Sequence, residues 1–271
     1  MVRLQPVPMN RLLIFGFGYS ASRIAAALET RGWRVEATGR AGTLDFADEA
    51  GVAAALGRAS HVLSSVPPQE DGGDPVLARH GGGLAGKWLG YLSSTGVYGD
   101  TGGAWVDESA PVVGSGAGGR RSARAEADAR WLALGARVFR LPGIYGPGRS
   151  VLERLRAGTA HRIDLPGQVF SRVHVDDIAG GVCAALAADV PPGAWNLADD
   201  EPASQNAVVE HGCRLLGIPA PPLQSLDEAG LSPMARGFYA ENRRVANGRL
   251  GRAAGWTPRH PTYREGLASL L

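Results

Sequence analysis

Residues 12–32 read LLIFGFGYSASRIAAALETRG, and this stretch decides the fold. The apolar run from Leu12 to Phe15 predicts a buried strand that ends at a glycine. Alanine and leucine at helical spacing then predict a helix over Ser20–Arg31, and Trp33–Thr38 predicts a second strand. A strand, a glycine-rich loop, a helix and a second strand in this order are typical of a parallel sheet that binds a dinucleotide.

The glycine-rich loop fits the pattern Gly-x-Gly-x-x-Ala, and each small residue has a physical reason. Gly16 permits a tight turn, Gly18 lets a pyrophosphate approach the backbone, and Ala21 lets the helix pack closely on the strand. The first N–H groups of the helix, together with its dipole, attract the phosphates. We therefore assign these loop residues to a cofactor site: Gly16, Phe17, Gly18, Tyr19, Ser20 and Ala21.

The end of the second strand indicates which cofactor is bound. NAD-binding proteins often place an acidic residue there to hold the ribose hydroxyls. Glu36 lies inside the predicted strand, whereas Arg40 lies just past its end. The planar guanidinium of arginine can pair with a 2′-phosphate, so the sequence favours NADP over NAD. The alternative is that Arg40 is a solvated loop residue.

Further strands alternate with helices up to Pro142. Strands are predicted over residues 61–66, 87–93 and 137–141, and helices over residues 47–56 and 120–134. This alternation predicts an α/β fold of the Rossmann type, a doubly wound parallel sheet with a small C-terminal substrate lobe. We expect residues 1–143 to form the dinucleotide-binding domain and residues 144–271 mainly the lobe, with about 172–198 returning to the first domain. Strand ends add Ser65, Val66, Leu141, Pro142 and Gly143 to the expected cofactor site.

Composition excludes several classes of protein. The chain has 271 residues, 44% of them hydrophobic and 20% charged, with a net charge of only +2, which argues against disorder and against a dedicated nucleic-acid binder. No apolar run is long enough to span a membrane, and no secretory signal is visible. Two cysteines without a metal-ligand pattern favour inert thiols, although a disulfide is the alternative. We expect a cytoplasmic protein without a metal site.

Five motifs in order resemble the extended short-chain dehydrogenase/reductases, specifically the NAD-dependent epimerase/dehydratase family that acts on nucleotide sugars. The motifs are the loop Gly16–Ala21 and residues 93–100 (SSTGVYGD), 140–149 (RLPGIYGPGR), 173–179 (VHVDDIA) and 195–199 (WNLAD). The resemblance covers roughly residues 10–270. It implies a cleft between two lobes, a small-molecule substrate such as a nucleotide sugar, and the capacity to form a homodimer.

The resemblance also implies a catalytic serine or threonine, a tyrosine acting as acid or base, and a lysine four residues after it. The polarising hydroxyl maps to Ser94, with Thr95 beside it. Counting back from Glu126 places the tyrosine position at Gly118 and the lysine position at Ser122. No tyrosine occurs between Tyr98 and Tyr145, and the only lysine of the chain, Lys87, precedes them all, so the Tyr-x-x-x-Lys pair is absent.

Two interpretations remain open. In the first, the protein is an atypical epimerase, dehydratase or reductase that recruits other groups, because a positioned proton donor contributes about 10²- to 10⁴-fold to a rate. In the second, it binds NADP without catalysis and acts as a regulatory or scaffolding protein. Candidate catalytic residues are Ser94, Thr95, Tyr98 and Tyr145, and candidate substrate-binding residues are Arg120, Arg124, Arg149 and His174.

Each of these residues also has a structural alternative. Both tyrosines could pack, His174 could be a hydrogen-bonded core histidine, and the arginines could form a solvated helix face. Asp176 or Asp177 is expected to cap the helix that follows.

Overall fold

The computed structural model describes residues 10–113 and 119–271, with the side chains of residues 119–120 and 233–235 outside that description. Its strands are β1 (Arg11–Phe15), β2 (Arg34–Thr38), β3 (His61–Ser64), β4 (Trp88–Ser94), β5 (Trp105–Val106), β6 (Arg137–Leu141), β7 (Gly143–Tyr145), β8 (Arg162–Ile163), β9 (Arg172–His174), β10 (Gly193–Asn196), β11 (Leu223–Gln224) and β12 (Arg244–Val245). Its helices are α1 (Tyr19–Glu29), α2 (Glu49–Arg58), α3 (Pro75–His80), α4 (Gly119–Ala133), α5 (Val151–Arg156), α6 (Val175–Ala187), α7 (Gln205–Leu216), α8 (Pro233–Tyr239), α9 (Gly248–Ala254) and α10 (Tyr263–Ala268).

Six parallel strands form the central sheet in the order β2-β1-β3-β4-β6-β10. The chain leaves β1 toward β2 on one side and returns to β3 on the other, so the strand order reverses between β1 and β3. In open α/β sheets, ligands bind in the crevice at the carboxyl ends of the strands where this reversal occurs. The predicted Rossmann-type α/β fold is therefore confirmed.

Both faces of the sheet are covered, which explains why its strands are almost continuously apolar. One hydrophobic cluster joins α1 and α6 to one face, with Ile24 and Val182 among its buried members. A second cluster joins α2 and α4 to the other face through Val52 and Trp131. The indole of Trp131 donates to Asp74, whose carboxylate also caps α3.

A separate hydrophobic cluster lies among elements that follow β6. It contains Tyr145, Leu152 of α5, Val209 of α7 and Leu267 of α10. The pairing of β7 with β9 connects this cluster to α6, which packs on the central sheet. The elements after β6 therefore build a second small core next to the sheet's carboxyl edge.

The start of α6 differs from the prediction. The expected cap was Asp176 or Asp177, but the capping side chain is His174, whose Nδ1 accepts the N–H of Asp176 at 3.2 Å. Both oxygens of Asp177 are occupied elsewhere, by the backbone N–H groups of Arg259 and His260. A contact 82 residues away in sequence thus displaces the local capping rule.

No helix among residues 10–113 and 119–271 has the length and apolarity needed to cross a bilayer. Cys183 and Cys213 are both buried and free.

Candidate functional site

The glycine loop is fixed by contacts that only glycine permits. Gly16 has a φ of +85°, and a side-chain carbon added to it would lie 3.0 Å from Cγ2 of Val66 and 3.3 Å from the carbonyl carbon of Ser65. The Gly16 N–H donates to Oγ1 of Thr38, and the Phe17 N–H donates to the Thr38 carbonyl at 2.9 Å. The ends of β1, β2 and β3 are thereby held together around the loop.

Gly18 is the N-cap residue of α1 and offers no side chain to its first turn. A carbon added at Gly18 would meet no atom within 4 Å, in contrast to the crowding at Gly16. Ser20 and Ala21 are buried behind it, where Ala21 packs in the core with β1. The loop thus leaves open space in front of a helix N-terminus, which is the arrangement that admits a pyrophosphate.

The end of β2 presents a cation rather than an acid. The carboxylate of Glu36 pairs with Arg58 of α2 at 2.8 Å. Gly39 follows with a φ of +130°, and a carbon added there would lie 3.2 Å from the Phe17 nitrogen. The exposed Arg40 therefore follows a residue whose backbone lies against the glycine loop.

The loop after β7 reaches the glycine loop at Tyr19. The Tyr19 hydroxyl donates to the Pro147 carbonyl at 3.0 Å, and the guanidinium of Arg149 lies 5.7 Å from the centre of the Tyr19 ring. Gly146, with a φ of +151°, lies so close that an added carbon would be 2.7 Å from the Tyr19 oxygen. Arg149 thus stands beside the start of α1, where a cofactor's phosphates would lie.

Ser94 lies at the carboxyl end of β4 and is paired in register with Leu141 of β6. Its Oγ accepts the N–H of Gly96 at 3.1 Å, which leaves the hydroxyl proton available for donation. Pro142 and Gly143 continue from Leu141, and the Gly143 N–H donates to the Ser171 carbonyl at 3.2 Å. The predicted residues of β4 and β6 therefore meet at one edge of the sheet, while Thr95 is buried beside them.

Tyr98 belongs to a buried polar network. Its hydroxyl donates to Oδ1 of Asn196 at 2.8 Å and accepts from Nη1 of Arg140 at 3.0 Å. Arg140 also forms a two-pronged ion pair with Asp128 of α4, at 3.0 and 2.7 Å, and Ser93 donates to the same carboxylate. The Tyr98 hydroxyl thus already donates one hydrogen bond and accepts another, and the residue is 2% exposed. Tyr98 therefore fits the alternative that it packs in the core.

Tyr145 and His174 also fit their structural alternatives. The Tyr145 ring packs edge-on against the His174 ring at 5.2 Å, and its hydroxyl faces the Thr262 carbonyl at 3.4 Å. Burial raises the pKa of Tyr145 and lowers that of His174. Both groups are therefore held in their neutral forms inside the C-terminal elements.

His174, Asp177 and His260 bring three potential metal-ligand atoms within 4.8 Å of one another. The Asp177 carboxylate, however, lies 3.0 Å from Nδ1 of His260 and accepts the backbone N–H groups of Arg259 and His260. This arrangement is a hydrogen-bonded junction between α6 and the segment before α10.

Helix α4 carries other candidates. Gly118, at the tyrosine position, and the side chain of Arg120 lie outside the described residues. Ser122, at the lysine position, is buried and donates to Glu126 at 3.1 Å. Arg124 lies near Tyr91, which belongs to the core between α4 and the sheet: burial raises the pKa of Tyr91, and the charge of Arg124 opposes that shift.

Lys87 lies at the amino end of β4, whereas the candidate site lies at the carboxyl ends of the strands. Its Nζ donates to the Ala59 carbonyl at 2.7 Å, immediately before β4 begins. Ser94 ends the same strand, about 20 Å away for a strand of this length. The only lysine of the sequence thus cannot replace the absent Tyr-x-x-x-Lys pair.

Sequence reasoning missed an ion cluster above Ser94. The Glu241 carboxylate pairs with Arg121 of α4 through one oxygen and with Arg243 through the other. Nη1 of Arg243 also donates to the Gly99 carbonyl at 2.6 Å. Glu241 and Arg243 follow Ser94 by more than 140 residues and match no motif, so no local signal could have found them.

Two neighbouring buried ionisable side chains were missed as well. Asp199 is 2% exposed, and neither of its carboxylate oxygens has a hydrogen-bond partner among the described residues. Burial raises its pKa to about 8, although the nearby Arg172 opposes this shift. Arg172 is itself deeply buried and donates to the carbonyls of Phe170 and Ala203.

A cavity of about 330 Å³ lies beside the edge strand β10. Two of its lining residues contact that strand: Glu108 accepts the Asn196 N–H, and Arg249 donates to the Ala194 carbonyl. None of the predicted cofactor residues lines it.

Comparisons with known proteins give one curated relative that matches part of the chain. No protein-family model matches the sequence. The 3-diazoavenalumate denitrifying reductase of a Streptomyces species is 36% identical over 148 residues, which are 49% of this chain and 46% of that protein. The match therefore spans about half the length of this curated relative.

Solved structures resemble the whole chain. A functionally unknown conserved protein from Silicibacter pomeroyi is 41% identical, with a TM-score of 0.84 over 97% of this chain and 98% of the other. Human epimerase family protein SDR39U1, solved with NADPH, is 18% identical, with a TM-score of 0.74 over 96% and 98% of the two chains. Thermus thermophilus UDP-glucose 4-epimerase, solved with NAD, is 20% identical, with a TM-score of 0.72 over 96% and 98%. The chain therefore belongs to one family with the Silicibacter pomeroyi protein, and its fold is that of the NAD-dependent epimerase/dehydratase group of short-chain dehydrogenase/reductases.

Proposed function

We propose that this protein is an NADP-dependent reductase of small molecules, with a cofactor site at the carboxyl ends of β1, β3 and β6. The observation that carries the proposal is the position of Ser94, in register with Leu141 and next to the strand ends that surround the glycine loop. A bound nicotinamide dinucleotide supplies a hydride. The chain's own contribution is to bind the cofactor, orient the substrate and polarise the group that accepts the hydride.

The residues present fit a dinucleotide. Gly18 leaves the approach to α1 open, and Gly16 keeps the loop tight against Val66. Arg149 contributes a positive charge beside Tyr19, so we assign it to the cofactor's phosphates rather than to the substrate. Arg40 would pair with a 2′-phosphate, since the acid of β2 is already paired with Arg58.

Reduction suits the available side chains better than epimerisation or dehydration. The latter reactions need a group that removes a proton, and the hydroxyls of Tyr98 and Tyr145 are buried and held by other residues. Ser94 can donate a hydrogen bond from its hydroxyl to a substrate oxygen or nitrogen and so stabilise the negative charge left by hydride transfer, and a proton from the solvent then completes the reduction. The reductase activity named for the Streptomyces relative supports the same choice.

Several finer points belong to the same proposal. The substrate class extends from diazo compounds to nucleotide sugars, which are the substrates implied by the names of the related enzymes, and we add small carbonyl compounds as common hydride acceptors. We place the protein in the cytoplasm, allow a homodimer, and divide the chain at residues 143 and 144. The pairing of β10 with β6 supports the return of residues 172–198 to the first domain.

The test is the loss of NADPH absorbance with a panel of small carbonyl compounds, aromatic diazo compounds and nucleotide sugars. We expect turnover with at least one class. Ser94→Ala should lower kcat by about 10²- to 10³-fold, the usual effect of removing one polarising donor. Its affinity for NADPH should stay unchanged, which separates polarisation from cofactor binding.

A second candidate is a non-catalytic NADP-sensing protein. The observation that favours it is that Gly118 and Ser122 stand at the positions where the family resemblance implies tyrosine and lysine. Tight NADPH binding without turnover of any member of the panel would contradict the reductase and support this candidate.

A further inference from the structure

Ser94 and Arg243 both approach Gly96. A side-chain carbon added to Gly96 would lie 3.3 Å from Oγ of Ser94, which is a crowded contact, and 4.0 Å from Nη2 of Arg243. Gly96 has an ordinary backbone conformation, so its lack of a side chain is not required by the local turn. The Ser94 hydroxyl and Nη2 of Arg243 therefore both lie close to Gly96, next to the carboxyl end of β4.

Arg243 is held so that part of its guanidinium stays available. Nη1 is used by the Gly99 carbonyl and by Glu241, whereas Nη2 makes no hydrogen bond to another described residue. Its side chain is 17% exposed, and burial lowers its pKa, but an arginine keeps its charge at neutral pH. The contacts of Nη1 thus orient Nη2 toward Gly96.

The positive charge of Arg243 is only partly balanced by its neighbours. One carboxylate, that of Glu241, serves two guanidinium groups, those of Arg121 and Arg243. Asp100 also acts on Arg243 through space, but its carboxylate accepts the backbone N–H groups of Gly102 and Asn242. An anion placed near Nη2 would therefore meet a cation that its own neighbours neutralise incompletely.

We propose that Arg243 binds an oxyanion of the substrate, a carboxylate or a phosphate, and so orients the substrate toward Ser94 and the cofactor. A guanidinium with a free N–H donor forms charge-assisted hydrogen bonds to such a group. This inference rests on the proposed reductase, since it names the substrate class of that site. Arg243 immediately precedes β12 and Ser94 ends β4, so the two side chains come together only in the folded protein.

Calorimetric titration with benzoate, phenyl phosphate and neutral benzamide tests the proposal. We expect saturable binding of benzoate or phenyl phosphate to the NADPH-saturated protein, and none of benzamide. The protein is saturated with NADPH beforehand, so that the cofactor occupies Arg40 and Arg149. Binding of phenyl phosphate to those two residues then does not contribute to the measured heat. Preference for benzoate identifies a carboxylate substrate, and preference for phenyl phosphate identifies a phosphate ester.

Matched variants distinguish binding from scaffolding. Arg243→Ala should weaken oxyanion binding by ~10- to 100-fold, the usual effect of losing a charged hydrogen bond. Arg243→Lys should be intermediate, and Gly96→Ala should weaken binding by placing a methyl group next to Nη2 of Arg243. Glu241→Gln should strengthen it about two- to fivefold by removing the competing charge, whereas a purely structural role of the cluster predicts weakening. Arg264→Ala, in an exposed pair with Glu201, is the control and should change nothing.

The same titrations are repeated without NADPH, after NADPH binding has been measured for each variant. Failure of the wild-type protein to bind NADPH would contradict the proposed function. Normal NADPH binding with equal affinity for benzoate and benzamide, or with oxyanion binding unchanged in Arg243→Ala, would overturn the oxyanion site alone.

Discussion

The carboxylate of Glu36 accepts a hydrogen bond of 2.8 Å from Nη2 of Arg58, the last residue of α2. Glu36 is the only acid of β2, so this pairing leaves no carboxylate of that strand for the hydroxyls of an adenosine ribose. Arg40, two residues past the strand, remains exposed and follows a residue whose backbone lies against the glycine loop.

Arg40 should therefore set the cofactor preference. Arg40→Ala is expected to weaken NADPH binding about tenfold and to leave NADH binding nearly unchanged, because only NADPH carries the 2′-phosphate. Dissociation constants from fluorescence titration of both cofactors check this. Arg34→Ala, at the other end of β2, is the control, and equal losses for NADPH and NADH would contradict the assignment.

Gly18 and Gly16 should respond differently to enlargement. Gly18→Val should fold normally, because the space around its added carbon is open, and should lose NADPH binding. Gly16→Val should instead lower the free energy of unfolding, since φ is +85° and Val66 lies 3.0 Å away. Urea unfolding and NADPH titration of both variants separate the two effects. Wild-type affinity in Gly18→Val would mean that the loop does not bind the cofactor.

The ion pair between Arg140 and Asp128 should be important for stability. Both side chains are at most 3% exposed, so Asp128→Ala would leave a buried guanidinium uncompensated and cost about 3–5 kcal/mol. The double variant Asp128→Leu with Arg140→Met should cost less than Asp128→Ala, because it removes both charges. Arg58→Ala breaks a half-exposed pair and should cost at most about 1 kcal/mol. Denaturant unfolding measures all three, and a small loss in Asp128→Ala would contradict the argument.

Asp199 should make stability depend on pH. Its native pKa is about 8, whereas an aspartate in the unfolded chain titrates at about 4. Between these values the native state binds more protons than the unfolded state, so the free energy of unfolding falls as pH rises from about 4 to about 8.

Asp199→Asn removes this titration and keeps the shape of the side chain. Relative to the wild-type protein, the variant should gain stability steadily from pH 5 to pH 8 and no further above that range. Urea unfolding at several pH values measures the difference. The exposed Asp227→Asn is the control, and a difference that does not vary with pH would show that Asp199 is ionised throughout.

The fold was predictable because its signals are local. The apolar run before Gly16, the small residues of the loop and the helical spacing after it lie within 20 residues of one another, and they act through backbone geometry. The position of Ser94 was equally accessible, because it ends an apolar strand. The start of α6 was not, since the Asp177 carboxylate is bound by distant residues and His174 caps the helix in its place.

The charged part of the site was not predictable for the same physical reason. Arg243 lies near Ser94 because the C-terminal elements pack on the sheet. A single arginine in a chain with 28 basic residues forms no sequence pattern that could have identified it. The absence of Tyr-x-x-x-Lys is visible in the sequence itself. The residues that we propose in its place, Ser94 and Arg243, come together only in the folded structure.

The location of Lys87 makes the protein convenient to attach and to label. Its ε-amino group is the only side-chain amine of the sequence, and it lies before β4, at the sheet edge opposite Ser94. An amine-reactive fluorophore coupled there would sit about 20 Å from the cleft. Immobilisation through that amine would turn the glycine loop and Arg243 toward the solution, and acylation of the protein would leave its candidate binding groups untouched.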